Sequence, residues 1–201
     1  MADQVSRDAE ILKYVAAYHR PRYHMGNERR ENSTKAIDEW GFGRGYRTFL
    51  DVGAGRGEIL NFVQDSGEFP EVVGTEVVPE LIQADARLRY AEAHALDMPD
   101  RSVDVVTCFD VLEHLLPADV NPAVDHLFRI ARCVVIISAA EDSQFQEGVE
   151  HHPSRRPIAN WRALLHARAL PYKFKFAAAR PCRKGSELWI FTGKKAKADA
   201  R

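Results

Sequence analysis

The sequence predicts an α/β protein built on a doubly wound, mainly parallel sheet. Strand-like and helix-like runs alternate from Tyr46 to Ser138. Two of the strand runs, VDVVTCF at 103–109 and CVVIIS at 133–138, are continuously apolar, as expected of strands covered on both faces. The first strand run passes directly into a helical pattern through the glycine-rich turn VGAGRGE.

Taken in order, residues 5–19 place Val5, Ile11, Leu12, Val15 and Ala16 at helical spacing. A polar, arginine-bearing stretch follows, and Asn32 or Ser33 would cap a second helix ending near Trp40, before GFGRG. Strands are expected at Tyr46–Val52, Glu71–Glu76, Leu88–Ala93, Val103–Phe109 and Cys133–Ser138. Helices are expected between them at Glu58–Gln64, Pro79–Ala84 and Val120–Ala131. Beyond a loop rich in acid, His and Arg (141–157), a helix is expected near Ile158–Ala167. Two alternating runs, YKFKF and ELWIF, then read as a terminal hairpin separated by AAARPCRKGS, with KKAKADAR as a solvated tail.

Composition narrows the class. The 201 residues, 45% hydrophobic and 28% charged, fit one soluble globular domain without internal repeats or long linkers. A net charge of −1 supplies no global attraction to nucleic acid or anionic membrane. Cys108, Cys133 and Cys182 are widely spaced and odd in number, which suits free thiols in a reducing compartment. No apolar run approaches the roughly 20 residues of a membrane span, and the polar, acidic start MADQVSRDAE is not a secretory signal. A cytoplasmic location without membrane partners is expected.

Glycine lets a ligand approach backbone closely and permits positive φ. A dinucleotide site needs G-x-G-x-x-G, but the third position counted from Gly53 and Gly55 is Glu58, an acid facing a would-be pyrophosphate. The pattern is instead Asp51-x-Gly53-x-Gly55-x-Gly57, an acid followed by three glycines at spacing two. An acid at that strand end suits a ligand carrying a cationic amino group. Glu76, closing the second strand about 20 residues further on, is placed to accept hydrogen bonds from ribose hydroxyls. YAEAHALDMPDRSVDVV and CFDVLEHL follow in order.

With these four motifs the chain resembles the class I S-adenosylmethionine-dependent methyltransferases, nearest the ubiquinone/menaquinone-biosynthesis (type 11) kind, over roughly residues 45–140. The resemblance implies a Rossmann-like, seven-stranded sheet with an antiparallel last strand. It divides a single domain (1–201) into an N-terminal helical lid (1–44), a cofactor-binding core (45–140), an acceptor-side loop, helix and hairpin (141–193) and a tail (194–201). It implies S-adenosylmethionine as cofactor, leaving S-adenosylhomocysteine as product. Asp51, Gly53, Ala54, Gly55 and Gly57 would cradle the methionine portion, and Glu76 with Val77 the ribose. Glu92 and the Ala93 amide would meet the adenine, with His94 and Met98 lining its pocket and Asp97 a rival to Glu92. Phe109 and Asp110 would border the reacting centre.

Sulfonium methyl transfer is an in-line displacement, so positioning supplies most of the catalysis, and a base is needed only for a poorly ionised hydroxyl or a protonated amine. His151 or His152 is the candidate base, beside Asp110. The chain lacks the [DNS]-P-P-[YF] signature of exocyclic-amine DNA methyltransferases, and its Pro181-Cys182 pair lies in the terminal hairpin, where Cys182 reads as structural or surface. Asp110, Glu113 and His114 sit at i, i+3 and i+4; some relatives bind a divalent ion through acid-x-x-Glu-His, and His151 or His152 would complete such a set. The plainer reading, a helix start lining the cofactor pocket with no metal, is favoured. Arg29, Arg30, Arg155 and Arg156 flank the cleft and would grip a phosphate or carboxylate. Tyr18, Tyr23, His24 and His114 are further acceptor-side candidates. The expectation is methyl transfer to an O or N atom of a small anionic metabolite. The alternatives are a nucleotide or nucleic-acid end with metal assistance, and a non-catalytic S-adenosylmethionine-binding subunit. The sequence leaves the oligomeric state open.

Overall fold

The computed structural model describes residues 2–19, 26–143, 145–146 and 148–194. Tyr23 and His24 lie outside the described residues. Two helices, α1 (Ala2–Tyr18) and α2 (Asn27–Gly41), precede an alternating core. The core runs β1 (Thr48–Val52), α3 (Glu58–Ser66), β2 (Glu71–Glu76), α4 (Pro79–Ala84), β3 (Leu88–Tyr90), β4 (Val103–Phe109), α5 (Pro117–Ile130) and β5 (Ala131–Ala140). A two-residue ladder, β6 (Phe145–Gln146) with β7 (Val149–Glu150), interrupts the loop before α6 (Ile158–Ala169), β8 (Lys175–Arg183) and β9 (Ser186–Thr192).

The seven-stranded sheet has the order β3-β2-β1-β4-β5-β9-β8. The first five strands pair in parallel and only β9 runs against them, so the last strand of the chain is the antiparallel one. Alternate strand residues supply the two faces. Leu50, Val106, Val135 and Trp189 pack with α5 and α6 on one side; Phe49, Val105, Val134 and Ile190 pack with α2, α3 and α4 on the other. The strand order reverses between β1 and β4, which opens a crevice beyond their carboxyl ends.

The largest departures from the sequence expectation are in α2 and in the terminal hairpin. Helix α2 begins at Asn27, not at Asn32 or Ser33, because Gly26 in extended backbone offers its carbonyl to the Arg30 N–H and Glu28 suits the first turn. Asn32 instead donates to the Cys182 carbonyl, and Ser33 is buried. The hairpin is also displaced. Tyr172–Phe174 turns out of α6, with Lys173 at φ 63, and β8 runs through the alanines to Arg183. Pro181 is tolerated there because β8 is the sheet edge and its register shifts between Pro181 and Arg183. Cys182 is fully buried, and burial pushes its thiol up to about 12, so it is a core group and not a surface one.

Gly74, inside β2, shows how closely α3 lies on the sheet. A Cβ there would stand 2.7 Å from Leu88 Cδ2 and 2.9 Å from both Leu60 Cδ1 and the Ala54 Cβ. The leucine tips have freedom to turn away, whereas the Ala54 methyl does not. Gly74→Ala is therefore expected to cost about 1–3 kcal/mol by overpacking, read as a lower midpoint in urea at unchanged m-value. A midpoint equal to wild type would show that the turn shifts without strain.

Candidate active site

The turn between β1 and α3 uses left-handed backbone at all three glycines, with φ of 74° at Gly53, 55° at Gly55 and 75° at Gly57. That explains three glycines where an ordinary turn needs one. Gly53 also lies against Val111, whose Cγ2 would be 2.4 Å from an added Cβ, and Gly55 lies under the Tyr18 hydroxyl at 2.5 Å by the same measure. The Gly53 and Ala54 amides both donate to the Thr75 carbonyl, tying the turn to the end of β2.

Glu76 closes β2 and is 6% exposed. Its Oε2 accepts the Gly55 N–H at 2.8 Å, and its Oε1 accepts the Val77 and Val78 amides at 2.7 and 3.2 Å. Burial raises its pKa, and those three amides oppose the rise. Asp51 lies beneath the turn, fully buried, with its Oδ1 accepting the Thr107 hydroxyl at 2.7 Å. Burial pushes its pKa up to about 7 against that hydrogen bond, with the nearby Glu76 charge adding to the rise.

Beyond these strand ends opens a cleft whose empty space, open solvent included, is about 830 Å³. Val52, Gly53, Glu76 and Val77 form its floor. Ala91, Glu92, Ala93 and His94 line one end, on a short 3₁₀ turn (Ala93–Ala95) where β3 stops short of the expected Ala93. Asp110, Val111, His114 and Leu115 line the other. Helix α1 covers it with Arg7, Glu10, Ile11, Tyr14 and Tyr18. The cover is clasped by a two-pronged ion pair, Arg7 Nε and Nη2 to Asp119 at 2.9 and 2.6 Å, which holds the Asp119 carboxyl below its usual range.

Of the expected cofactor residues, Gly53, Glu76, Val77, Glu92, Ala93, His94 and Asp110 line the cleft. Asp51, Ala54, Gly55, Gly57 and Phe109 stand behind its wall: Gly57 caps α3, and Phe109 is in the core. Asp97 is exposed away from the cleft, and Met98 packs against the core.

The acceptor side differs more. The four arginines do not converge. Arg29 pairs with Asp110 Oδ2 at 2.9 Å; Arg30 is exposed and reaches Asn27; Arg155 is exposed; and Arg156 stacks on Trp161 at 4.3 Å. Each guanidinium other than Arg155 has found a nearer partner, since sequence spacing fixes no side-chain direction. Asp110, at φ 53, accepts the Ser138 hydroxyl at 3.2 Å and faces Arg29.

Next to it Glu113, His114 and His152 bring one ligand atom each to within 4.8 Å of one another. Asp110 stands outside this group, and His152, not His151, completes it. His114 Nδ1 is 2.7 Å from the His151 carbonyl oxygen, and His152 Nδ1 is 2.6 Å from that of Asp142. A carbonyl only accepts, so both Nδ1 atoms carry the proton and both Nε2 atoms present a lone pair. Burial lowers the pKa of both rings, to about 3 for His114, and keeps them neutral. Glu113 Oε1 accepts the Ala140 N–H, while its buried Oε2 has no hydrogen-bond partner. Burial and the Asp110 charge raise the Glu113 pKa. Two outward lone pairs, an orphaned carboxylate oxygen and a carbonyl behind each imidazole are the features of a metal-binding triad, and these residues fit one.

Residues 50–133 match the family model described as a methyltransferase domain, of type 11. The matched stretch, from β1 into β5, is a methyltransferase domain of that family. Solved structures, two of them of methyltransferases, share the fold. The magnesium protoporphyrin IX methyltransferase of Synechocystis PCC 6803, crystallised with S-adenosylhomocysteine, is 15% identical, with a TM-score of 0.59 and 82% of each chain covered. The methyltransferase domain of a bacterial CtHen1 is 16% identical, with a TM-score of 0.66 over 84% of this chain and 98% of that one. The PH0226 protein of Pyrococcus horikoshii is 17% identical, with a TM-score of 0.62 over 83% and 90%. A sequence search among curated proteins finds no match. Among the described residues of this methyltransferase, no helix is long and apolar enough to cross a membrane.

Proposed function

We propose that this methyltransferase moves the methyl group of S-adenosylmethionine to a hydroxyl oxygen of an acceptor that carries neighbouring hydroxyls, such as a ribose end, oriented at Glu113, His114 and His152. The observation that carries this reading is the gathering of one ligand atom each from Glu113, His114 and His152 within 4.8 Å, with Glu113 Oε2 buried and without a hydrogen-bond partner. A divalent cation held by those three side chains would supply a fixed positive charge for hydroxyl oxygens. Glu76 and Val77 would take the cofactor ribose and Glu92 the adenine amine, which leaves the sulfonium end toward Asp110 and His114. Helix α1, clasped through Arg7 and Asp119, would exclude water above the reacting atoms. An anionic small metabolite loses its main support, because the arginines meant to grip it are exposed or engaged elsewhere. Three buried free thiols suit a reducing cytoplasm.

Methyl transfer from labelled S-adenosylmethionine to a panel of ribonucleosides, short RNA and catechols tests the reading. Transfer should stop on chelation, return with Mn²⁺ or Mg²⁺, and be lost in Glu113→Gln and His152→Ala, with S-adenosylhomocysteine binding, compared in EDTA, within about twofold of wild type. Transfer indifferent to EDTA overturns it.

A further inference from the structure

Two side chains of α1 hold consecutive carbonyls of the acceptor-side loop. Lys13 Nζ reaches the Glu150 oxygen at 3.4 Å, and the Tyr14 hydroxyl donates to the His151 oxygen at 3.2 Å. The His151 oxygen is the same atom that accepts the His114 Nδ1 proton. The Tyr14 ring also stands edge-on to the His114 imidazole, with centroids 5.2 Å apart. Its helix is at the same time the cover of the cofactor cleft: Ile11 and Tyr18 face the cavity, and the Tyr18 hydroxyl lies on Gly55. Whatever seats α1 over the cleft thus seats the carbonyl that fixes the tautomer and direction of His114.

Resting on the metal reading above, we propose that Tyr14 is a positioning residue that couples occupancy of the cofactor cleft to cation binding at Glu113, His114 and His152. A cofactor filling the cleft would pack against Ile11 and Tyr18 and so hold α1 in the seat it has here. In that seat Tyr14 pins the His151 carbonyl, and the carbonyl in turn fixes the His114 ring beside Glu113 and His152. Coupling between two sites is reciprocal, so cation binding tightens the cofactor by the same factor. The arrangement orders the reaction: the acceptor hydroxyls are oriented firmly only once the methyl donor is in place.

Co²⁺ serves as the probe on the full, metal-stripped chain, its visible d–d absorption reporting both affinity and coordination. In wild type, S-adenosylhomocysteine should tighten Co²⁺ binding about tenfold, within the usual span of such couplings, and Co²⁺ should tighten S-adenosylhomocysteine equally. Tyr14→Phe keeps the ring and removes the hydroxyl. It should bind each ligand alone within about threefold of wild type, while the coupling falls to about one and the Co²⁺ spectrum no longer responds to the nucleoside. Absence of Co²⁺ binding in wild type overturns the metal reading and this proposal with it. Co²⁺ binding without coupling in wild type, or coupling that survives in Tyr14→Phe, overturns the proposal alone. The wild-type measurement needs no variant, so absence of coupling there overturns the proposal even where Tyr14→Phe fails to fold, and Tyr14→Leu then serves as the second variant.

Discussion

Glu76→Ala should weaken S-adenosylhomocysteine binding by about a hundredfold. The carboxylate has four in-plane acceptor positions. Three are taken in the unliganded protein, two on Oε1 by Val77 and Val78 and one on Oε2 by Gly55, so Oε2 keeps one place for a ribose hydroxyl. A second hydroxyl requires release of the Val78 amide, the longest of the three contacts at 3.2 Å. A hydrogen bond to a charged acceptor contributes about 1.5–3 kcal/mol, which converts to roughly 10- to 150-fold in affinity. The same substitution orphans three amides that shape the glycine turn, so thermal stability should fall as well. Glu76→Gln is no rescue, because its amide N–H₂ would face backbone donors. Calorimetric titration on protein shown to be folded separates binding from stability. A dissociation constant within about twofold of wild type would remove Glu76 from the cofactor site.

The glycine turn and Glu76 were readable in the sequence because their geometry is local. Positive φ demands glycine, and a strand end aims its last side chain at the crevice whatever the rest of the chain does. The alternating core was readable for the same reason, since β4 and β5 are mostly apolar runs, as strands covered by helices on both sides must be. Contacts between distant segments were not readable. Arg7 and Asp119 are 112 residues apart, and nothing in either neighbourhood signals that they clasp. Glu10, Ile11 and Tyr14 look like ordinary positions on an amphipathic helix until α1 is laid across the cleft. His151 and His152 are adjacent and chemically identical, so only the fold decides that one offers its carbonyl and the other its ring. Gly74 did leave a signal: a lone glycine within the strand run EVVGTE marks close approach of another element.

Asp51 should contribute stability that falls away as pH rises from about 4 to 7. Its folded pKa is raised to about 7, against an ordinary value of 3.8, because burial penalises the charged form. Between those values the folded chain holds a proton that the unfolded chain has released. Stability then falls with rising pH, and the fall ends once the folded carboxyl has also ionised near pH 7. Each pKa unit corresponds to about 1.4 kcal/mol, so the full swing is about 4 kcal/mol and the part between pH 5.5 and 7 about 2 kcal/mol. Urea unfolding at intervals across that range should show wild type losing stability relative to Asp51→Asn by that amount; equal slopes in the two proteins would assign the titration elsewhere. The cofactor adds a second consequence. A cationic ligand amino group over the turn favours the ionised form of Asp51, so binding at pH 6 must expel its proton and at pH 8 need not. S-adenosylhomocysteine affinity should therefore climb between pH 6 and 7 and level off above. Titrations in buffers of different ionisation enthalpy should detect proton release at pH 6 and none at pH 8. Asp51 meets no part of the cleft surface, so its influence on the ligand is carried by charge through the glycine turn, not by contact. That is a reason for an acid, and not merely a polar residue, to precede three glycines.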